Sequence, residues 1–396
     1  MLSFVPFSPF QFWLPTRILF GEGLLQQAGA LIAEHVPGKR IFLVTDPGIV
    51  MAGLVDDVLA SLHRAHYETD IFQQVAPNPK DVDCELGAEQ VRSFQPDLIL
   101  AIGGGSVIDS AKAIALLHTH PGRIQDYEGR GKVAGPVTPL VAIPTTAGTG
   151  SEVTRSSVIT DTGRKCKMTV KDVKLAPLLA LVDPETTYSL PAPLTAATGM
   201  DAFVHAIEAY TCKLANPISD AFALAAMARI WRALPAAVHE GGNRLARQEM
   251  MLGSLMAGIA FSHADVAAVH CMAEALGGRY DTPHGVANSI FLPVVTAFNA
   301  QADPERHAHA ARVCQLPVEG LSSAEASAVL VEALFARARE IGIPRFADLP
   351  YVRREDFPSL AAVSYANGST PSNCRPITEN DYLTLFEEAY AGAARA

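Results

Sequence analysis

Charged side chains are scarce in this sequence, and its cysteines show no regular spacing. Asp, Glu, Lys and Arg make up 18% of the 396 residues against 49% hydrophobic residues, a composition typical of globular proteins rather than disordered chains. The formal net charge of -10 would repel phosphate backbones and anionic lipids, so neither nucleic acid nor a membrane is an expected partner. Six cysteines without a C-x-x-C pair predict reduced thiols and a cytoplasmic protein.

The opening segment also lacks features of a targeting sequence. Residues 1–14 are apolar but carry no basic residue before Arg17, and Pro6, Pro9 and Pro15 interrupt them. We therefore expect an arm or an edge strand there, and neither a signal peptide nor a membrane helix. The chain also lacks internal repeats and low-complexity tracts, and its length fits two domains.

Short apolar runs alternate with longer helical patterns in the first half. Strands are predicted at residues 40–46, 67–75, 97–102 and 139–143, with a helix at about 50–63 and another between the second and third strands. Parallel neighbours need crossover helices, so this alternation predicts an α/β fold with a doubly wound, mostly parallel sheet.

The second half has few β-branched runs and is rich in alanine. Helical periodicity covers residues 195–213, 219–239, 247–261 and 324–341, which predicts an all-α C-terminal domain. We place the domains at residues 1–187 and 188–396, and expect the ligand in the cleft between them.

A glycine turn follows the third predicted strand. Gly103, Gly104, Gly105 and Ser106 precede Asp109 and a helical pattern at residues 110–118, so backbone N–H groups at a helix N-terminus could bind a pyrophosphate. The turn is not a G-x-G-x-x-G motif, and such a turn is often only a tight connection.

Two further segments could contact the same cofactor. Asp46 ends the first predicted strand, where a carboxylate would accept bonds from a ribose and repel a 2′-phosphate, which favours NAD over NADP; alternatively, it only starts a turn. The loop at residues 144–152 offers hydroxyls and backbone donors to phosphates and ribose, although it could equally be an ordinary connection. Its candidate side chains are Thr145, Thr146, Thr149 and Ser151.

Four residues of the helical half suit a divalent metal. Asp201 and His205 are four residues apart on a predicted helix and share one face; His270 lies on the helical segment 266–276, and His284 in a turn at residues 280–285. Three imidazoles and a carboxylate suit iron or zinc. A chance pair on a solvated helix face remains the alternative, since the chain has twelve histidines.

Taken together, these segments resemble the iron-containing alcohol dehydrogenase family. The likeness starts at residues 12–21, passes through the glycine turn and the Thr-Gly loop to residues 199–210, and ends at residues 283–288. It implies a dehydroquinate synthase-like fold in which Asp201, His205, His270 and His284 hold the catalytic metal, Fe²⁺ with Zn²⁺ as the alternative. It also implies hydride transfer between NAD and a small alcohol, diol or hydroxyaldehyde, and a homodimer or larger homo-oligomer.

The sequence departs from the family pattern at three positions. Glu274 stands four residues after His270, where many relatives carry a second histidine, and His263 and Asp265 replace a usual Asn and Gly. We interpret Glu274 as a catalytic-site residue and expect a pocket for a polar or hydroxylated substrate; the alternative is that Glu274 and Asp265 are solvated helix-face residues. Cys271 is expected to be a buried structural thiol rather than a nucleophile.

Three other functions fit parts of the pattern. A dehydroquinate-synthase-like lyase would share NAD and metal but needs a basic cluster for a phosphate-bearing substrate, which the helical half does not show. A reductase of the maleylacetate reductase type would normally lack the full Asp-His-His-His set. A catalytically silent nucleotide-binding protein would have no use for these four ligands.

Overall fold

The computed structural model describes residues 9–392. Within that range, nine strands form two sheets: β1 Arg17–Phe20, β2 Arg40–Val44, β3 Glu68–Phe72, β4 Leu98–Gly103, β5 Gly129–Arg130, β6 Leu140–Pro144, β7 Ser156–Asp161, β8 Cys166–Lys171 and β9 Leu179–Val182.

The main sheet is parallel throughout, with strand order β1-β9-β6-β4-β2-β3. Its register places Gly103 at the end of β4 beside Pro144 at the end of β6. Successive residues of β2 point to opposite faces, so Ile41 and Leu43 enter one hydrophobic core and Phe42 and Val44 enter another. The sheet is therefore covered on both faces, which confirms the predicted doubly wound α/β fold.

Fourteen α-helices accompany the strands between residues 9 and 392. They are α1 Ala28–His35, α2 Pro47–Met51, α3 Leu54–Arg64, α4 Asp81–Phe94, α5 Gly105–Thr119, α6 Ala192–Thr211, α7 Pro217–His239, α8 Arg244–His263, α9 Ala268–Tyr280, α10 His284–Ala300, α11 Pro304–Val313, α12 Ser323–Glu340, α13 Phe357–Ala366 and α14 Glu379–Ala391. All regular elements described after residue 188 are helical, as the sequence predicts.

Several predicted boundaries are wrong. The helix expected at residues 50–63 is two helices, α2 and α3, separated at Gly53, which has φ of 78°. Helix α5 starts at Gly105 instead of Ser110, because the glycine turn itself supplies the N-cap. His284 is the first residue of α10 and not part of a turn.

A second sheet was not predicted. It has the order β5-β8-β7, with β7 and β8 antiparallel from Ser156↔Lys171 to Asp161↔Cys166. In β7 and β8 buried and partly exposed residues largely alternate, the pattern of a sheet with one buried face. Every second residue of these strands is buried in large part, but polar side chains among them make the alternation of apolar and polar residues hard to recognise in the sequence.

The helical half has a single extensive core. It combines α6 to α14 with Val153, Ala180 and Val182 from the first half, so packing continues across the predicted domain boundary. Helix α7 is long and apolar enough to cross a membrane, and α8 with α9 passes the same test only as a pair bent by 101°. Half of the most apolar window of α7 is buried in the fold, and core helices of globular proteins share this composition.

The edge strand expected within residues 1–14 is absent from the part of that segment that the structure describes. Residues 1–8 lie outside the described residues, and residues 9–15 have no regular secondary structure. The edge strand is β1, which begins at Arg17 and pairs only with β9 among the described strands.

Candidate active site in the cleft

The carboxyl ends of β2 and β4 flank a topological switch point. The chain runs from β2 outward to β3 on one side and from β4 to β6 on the other, which leaves a crevice above this strand pair. Asp46 lies two residues after the end of β2, and Gly104 follows β4 as the N-cap of α5. The oxygen Oδ1 of Asp46 caps α2, accepting from the backbone N–H groups of Gly48 at 2.7 Å and Ile49 at 3.1 Å. The glycine turn and Asp46 therefore share the crevice where dinucleotides bind in such sheets.

The Thr-Gly loop packs directly on the glycine turn. A Cβ atom at Gly105 would lie 2.5 Å from Cγ2 of Thr149, and one at Gly104 would lie 3.2 Å from Cγ2 of Thr146. Thr145 is buried, its backbone N–H donates to the carbonyl of Gly103 at 3.0 Å, and its hydroxyl has no partner among residues 9–392. The predicted cofactor residues of both segments are thus in one place.

Asp109 and Ser151 bond to each other rather than facing open space. The hydroxyl of Ser151 donates to Oδ1 of Asp109 at 2.5 Å, while Oδ2 of Asp109 accepts from the N–H of Val158 at 2.9 Å. Lys112, which sequence reasoning missed, is fully buried below them and donates to Ser151 at 2.7 Å. These residues fix the base of the loop, and the turn Gly104–Ser106 remains the part open to a ligand.

The four candidate metal ligands converge. Asp201 and His205 come from α6, His270 from the first turn of α9, and His284 from the start of α10. One donor atom from each lies within 4.8 Å of the other three. Asp201, His205 and His270 are buried, and the His284 side chain is 29% exposed, so the site is reached from that side. The alternative of a solvated helix face is wrong for Asp201 and His205.

The donor atoms fit a cation. The Nε2 atoms of His205 and His270 are 3.0 Å apart, and Nε2 of His284 is 3.6 Å from Oδ1 of Asp201. Metal–ligand bonds of about 2.0–2.2 Å can span donors at such separations. Nδ1 of His205 is buried without a hydrogen-bond partner among the described residues. If the proton of neutral His205 is on Nδ1, that N–H is unsatisfied and the lone pair of Nε2 faces Nε2 of His270. A cation bound between the two Nε2 atoms would give both lone pairs a partner.

Two residues that the sequence did not suggest orient these ligands. Glu208, on α6, accepts from Nδ1 of His270 at 2.6 Å and caps α9 by accepting from the N–H groups of Ala267 and Val269. Because Nδ1 of His270 is the donor, its Nε2 presents a lone pair to the site. Asn288 lies one turn after His284, and its Nδ2 donates to Oδ1 of Asp201 at 2.6 Å.

The electrostatics keep most of the site in metal-binding form. Burial lowers the pKa of His205 to about 3 and also lowers that of His284, so both imidazoles are neutral. Burial also acts to lower the pKa of His270, but the hydrogen bond that Nδ1 donates to Glu208, together with the negative charges of Glu208, Asp201 and Glu274, outweighs burial, and the pKa is raised. Burial acts to raise the pKa of Asp201, yet the three neighbouring imidazoles hold it below its usual value.

The Thr-Gly loop connects the crevice to the metal ligands. A Cβ at Gly148 would lie 2.8 Å from Cβ of Thr198, which precedes Asp201 by one turn on α6. The same loop contacts the glycine turn through Thr149. One loop therefore contacts both the glycine turn and the helix that carries Asp201 and His205.

The three departures from the family pattern lie in different surroundings. Glu274 is partly exposed on α9, one turn beyond His270. Asp265 is buried in the loop before α9, bonds to Ser372 at 2.8 Å and faces Arg130 at 3.4 Å, so the solvated helix-face interpretation is wrong for it. The two ring nitrogens of His263 contact backbone carbonyls, at 2.7 Å and 2.8 Å.

The thiol of Cys271 is buried, as expected. The hydroxyl of Thr370 donates to its sulfur at 3.5 Å, and burial raises the thiol pKa far above its usual value. A protonated, enclosed thiol is a packing group and not a nucleophile.

Comparison with known proteins agrees with this geometry. Residues 15–184 match the family model "Iron-containing alcohol dehydrogenase", and residues 195–390 match "Fe-containing alcohol dehydrogenase family, C-terminal". The chain is 39% identical over 383 residues to the 1,3-propanediol dehydrogenase of Citrobacter freundii, covering 96% of this chain and 99% of the relative. It is 40% identical over 379 residues to the NAD-dependent methanol dehydrogenase of Bacillus methanolicus, with the same coverage.

The fold is shared with solved structures over nearly the whole chain. A crystal structure of 1,3-propanediol oxidoreductase superposes with a TM-score of 0.93 at 40% identity, covering 96% of this chain and all of the other. The family models, the sequence identity and the shared fold cover both halves of the chain and agree on one family. The chain belongs to the iron-containing alcohol dehydrogenase family.

Proposed function

We propose that this protein is an NAD-dependent, iron-dependent alcohol dehydrogenase that interconverts a small primary alcohol, diol or hydroxyaldehyde with its oxidised or reduced partner. The single observation that carries the proposal is the convergence of Asp201, His205, His270 and His284 within 4.8 Å of one another, beside the loop that contacts the glycine turn. The names of the relatives, a propanediol and a methanol dehydrogenase, support a small alcohol as substrate.

NAD, when bound at the glycine turn, would supply the acceptor for the hydride of the substrate carbon, and the hydroxyl proton would be released to solvent. Fe²⁺, when bound by the four ligands, would supply a Lewis acid that lowers the pKa of the alcohol and polarises the aldehyde. Glu208 fixes the ring of His270, and Asn288 holds the carboxylate of Asp201. Zn²⁺ suits the same donors, so metal analysis must separate the two.

The cofactor site is proposed at the switch-point crevice. The N-terminus of α5 would bind the pyrophosphate through the turn Gly103, Gly104, Gly105 and Ser106. Thr145, Thr146 and Thr149 would line the phosphates and ribose, with Asp109 and Ser151 holding the loop from below. Oδ2 of Asp46, which makes no bond within residues 9–392, would accept from the adenosine ribose and repel a 2′-phosphate, favouring NAD.

The domain boundary is proposed at residues 187 and 188. The last strand of the main sheet ends at Val182, and α6 begins at Ala192. The two family models leave the same segment, residues 185–194, unmatched between them.

We also propose a cytoplasmic homodimer. All six cysteines are free, which suits a reducing compartment. Large apolar side chains, Phe10, Trp13 and Phe20, are exposed beside the edge strand β1, where a second copy could cover them. Light scattering on the purified protein would give the oligomeric state.

The test of the activity combines metal content with a substrate panel. Protein purified without oxygen should contain one Fe²⁺ per chain and should produce a lasting rise in NADH absorbance with small primary alcohols. NADP should support a slower reaction. A lyase of the dehydroquinate synthase type would give no net change in NADH. The proposal is overturned if metal-loaded protein neither forms NADH with any alcohol nor consumes NADH with any aldehyde of the panel.

A further inference from the structure

Glu274 faces the metal-ligand cluster from the next turn of the same helix. Positions four apart on a helix share one face, with roughly 5–6 Å between their Cβ atoms, and His270 directs its ring into the cluster. The charge of Glu274 acts on both His270 and His284. Its side chain is only partly buried, so it borders the open side of the site.

One oxygen of Glu274 is held in place and the other is free. Oε2 accepts from Nδ2 of Asn367 at 2.6 Å, which fixes the carboxylate at the C-terminal end of α13. No residue between 9 and 392 forms a hydrogen bond or an ion pair with Oε1. A carboxylate fixed by one oxygen presents the other as a preoriented acceptor.

Lys167 approaches from the opposite side of the cleft. Its ammonium donates to Oδ1 of Asn78 at 3.0 Å, and its stem passes over Gly277 on α9. Burial lowers the pKa of Lys167 to about 8, while Glu274 and Asp281 act to raise it. The charges of Lys167 and Glu274 therefore interact, although these two described residues do not form an ion pair with each other.

We propose that Glu274, oriented by Asn367, determines substrate specificity by accepting a hydrogen bond from a second hydroxyl group on the substrate. This inference rests on the proposed dehydrogenase function and names its substrate class: short, uncharged diols and hydroxyaldehydes whose two oxygens are separated by two or three carbon atoms. Such a chain carries its second hydroxyl two or three carbon atoms from the reacting oxygen, and Glu274 lies about one helical turn beyond His270 on α9. An anionic substrate of the same length is rejected, because its carboxylate would meet the carboxylate of Glu274.

The size of the effect follows from the type of bond. A hydrogen bond to a charged acceptor in a partly buried site changes affinity about ten- to a hundredfold. The diol should therefore exceed the matched mono-alcohol in kcat/KM by that factor. Most of the difference should appear in KM, because the second hydroxyl binds alike before and during hydride transfer.

The experiment compares three substrates that share a three-carbon chain: 1-propanol, 1,3-propanediol and 3-hydroxypropanoate. The variants are Glu274→Ala, which removes the acceptor, and Glu274→Gln, which keeps an acceptor for Asn367 but removes the charge. Glu332→Ala serves as the control, because Glu332 is exposed on α12. Metal content and thermal unfolding are measured for each, and calorimetric titration of the enzyme–NAD complex with each compound gives binding without turnover.

We expect Glu274→Ala to lower the preference for 1,3-propanediol over 1-propanol at least about tenfold, in kcat/KM and in calorimetric affinity. Glu274→Gln should raise relative use of 3-hydroxypropanoate about tenfold, since a like-charge repulsion is removed. Glu332→Ala should change neither ratio. If Glu274 served only to connect Asn367 to α9, its variants would change the unfolding temperature and leave both substrate ratios constant.

The inference is overturned if folded, metal-loaded Glu274→Ala discriminates as the wild type does, or if the wild type shows no preference for the diol. Failure of the proposed function looks different, because wild-type protein would then reduce no NAD with any alcohol. The calorimetric ratio of diol to mono-alcohol still decides the role of Glu274 in that case.

Discussion

Glu208 is the residue whose replacement most directly tests how the metal site is built. Its carboxylate accepts three buried hydrogen bonds: from Nδ1 of His270 at 2.6 Å, from the N–H of Val269 at 2.7 Å and from the N–H of Ala267 at 3.0 Å. Glu208→Gln keeps the volume but has one acceptor oxygen, and its amide would turn a donor toward donors. At least one buried donor then loses its partner, at a cost of about 1–3 kcal/mol.

The same change should weaken the metal site. Without an acceptor at Nδ1, His270 loses its fixed tautomer and ring orientation, and loss of such a partner typically lowers metal affinity about 10–100-fold. Competition with a chelator under anaerobic conditions measures the affinity, and urea unfolding of the metal-free protein measures the stability separately. Glu332→Gln, on the exposed side of α12, is the control. Folded Glu208→Gln protein that retains Fe²⁺ within about twofold of wild type would refute the reasoning.

Three further outcomes are expected. Burial raises the pKa of Glu152 from 4.5 to about 7, so the stabilisation that this group gives below pH 4.5 is lost as the pH rises through 7. Glu152→Gln should therefore increase the free energy of unfolding of the metal-free protein by about 3 kcal/mol at pH 8 and by much less at pH 5. Urea unfolding at the two pH values measures the difference. Metal affinity should fall as pH drops below the raised pKa of His270, and a flat chelator profile from pH 5.5 to 8 would contradict this. Asp46→Ser keeps a helix cap but removes the charge, so KM for NADP should fall roughly tenfold relative to NAD; an unchanged ratio would count against the ribose role.

The sequence predicts elements well where the local pattern and the packing agree. Strands β2 and β4 are short, apolar and bounded by turn residues, so their position and parallel pairing follow from the alternation with helices. The second sheet was missed because polar residues are frequent in β7 and β8, and because its third strand, β5, has only two residues and pairs with β8 from a distant segment. Such a sheet is defined by pairing and not by local composition.

The four candidate metal ligands, which lie close together in the structure, could be named from the sequence, but the residues that orient them could not. Each ligand lies in a segment that resembles the family, whereas Glu208 acquires its role only because the N-terminus of α9 arrives beside α6. Asn288 was missed because His284 was placed in a turn, which hides the one-turn spacing between them. Lys112 lies in the predicted helical segment at residues 110–118, and only the packing of β7 and its preceding loop places its ammonium against Ser151 and the carbonyl of Ser156.

The spacing between the proposed cofactor site and the candidate metal ligands depends on two glycines, Gly105 and Gly148. At Gly148 the loop backbone lies so close to α6 that a Cβ would be 3.1 Å from the carbonyl oxygen of Thr198, and at Gly105 a Cβ would overlap Thr149. Any larger residue at either position must push the loop away from the helix that carries Asp201 or from the turn proposed to bind the pyrophosphate. Hydride transfer requires reacting atoms to meet within a few tenths of an ångström of their productive distance. Close backbone contact provides that accuracy better than long side chains, which lose more conformational freedom when they are fixed.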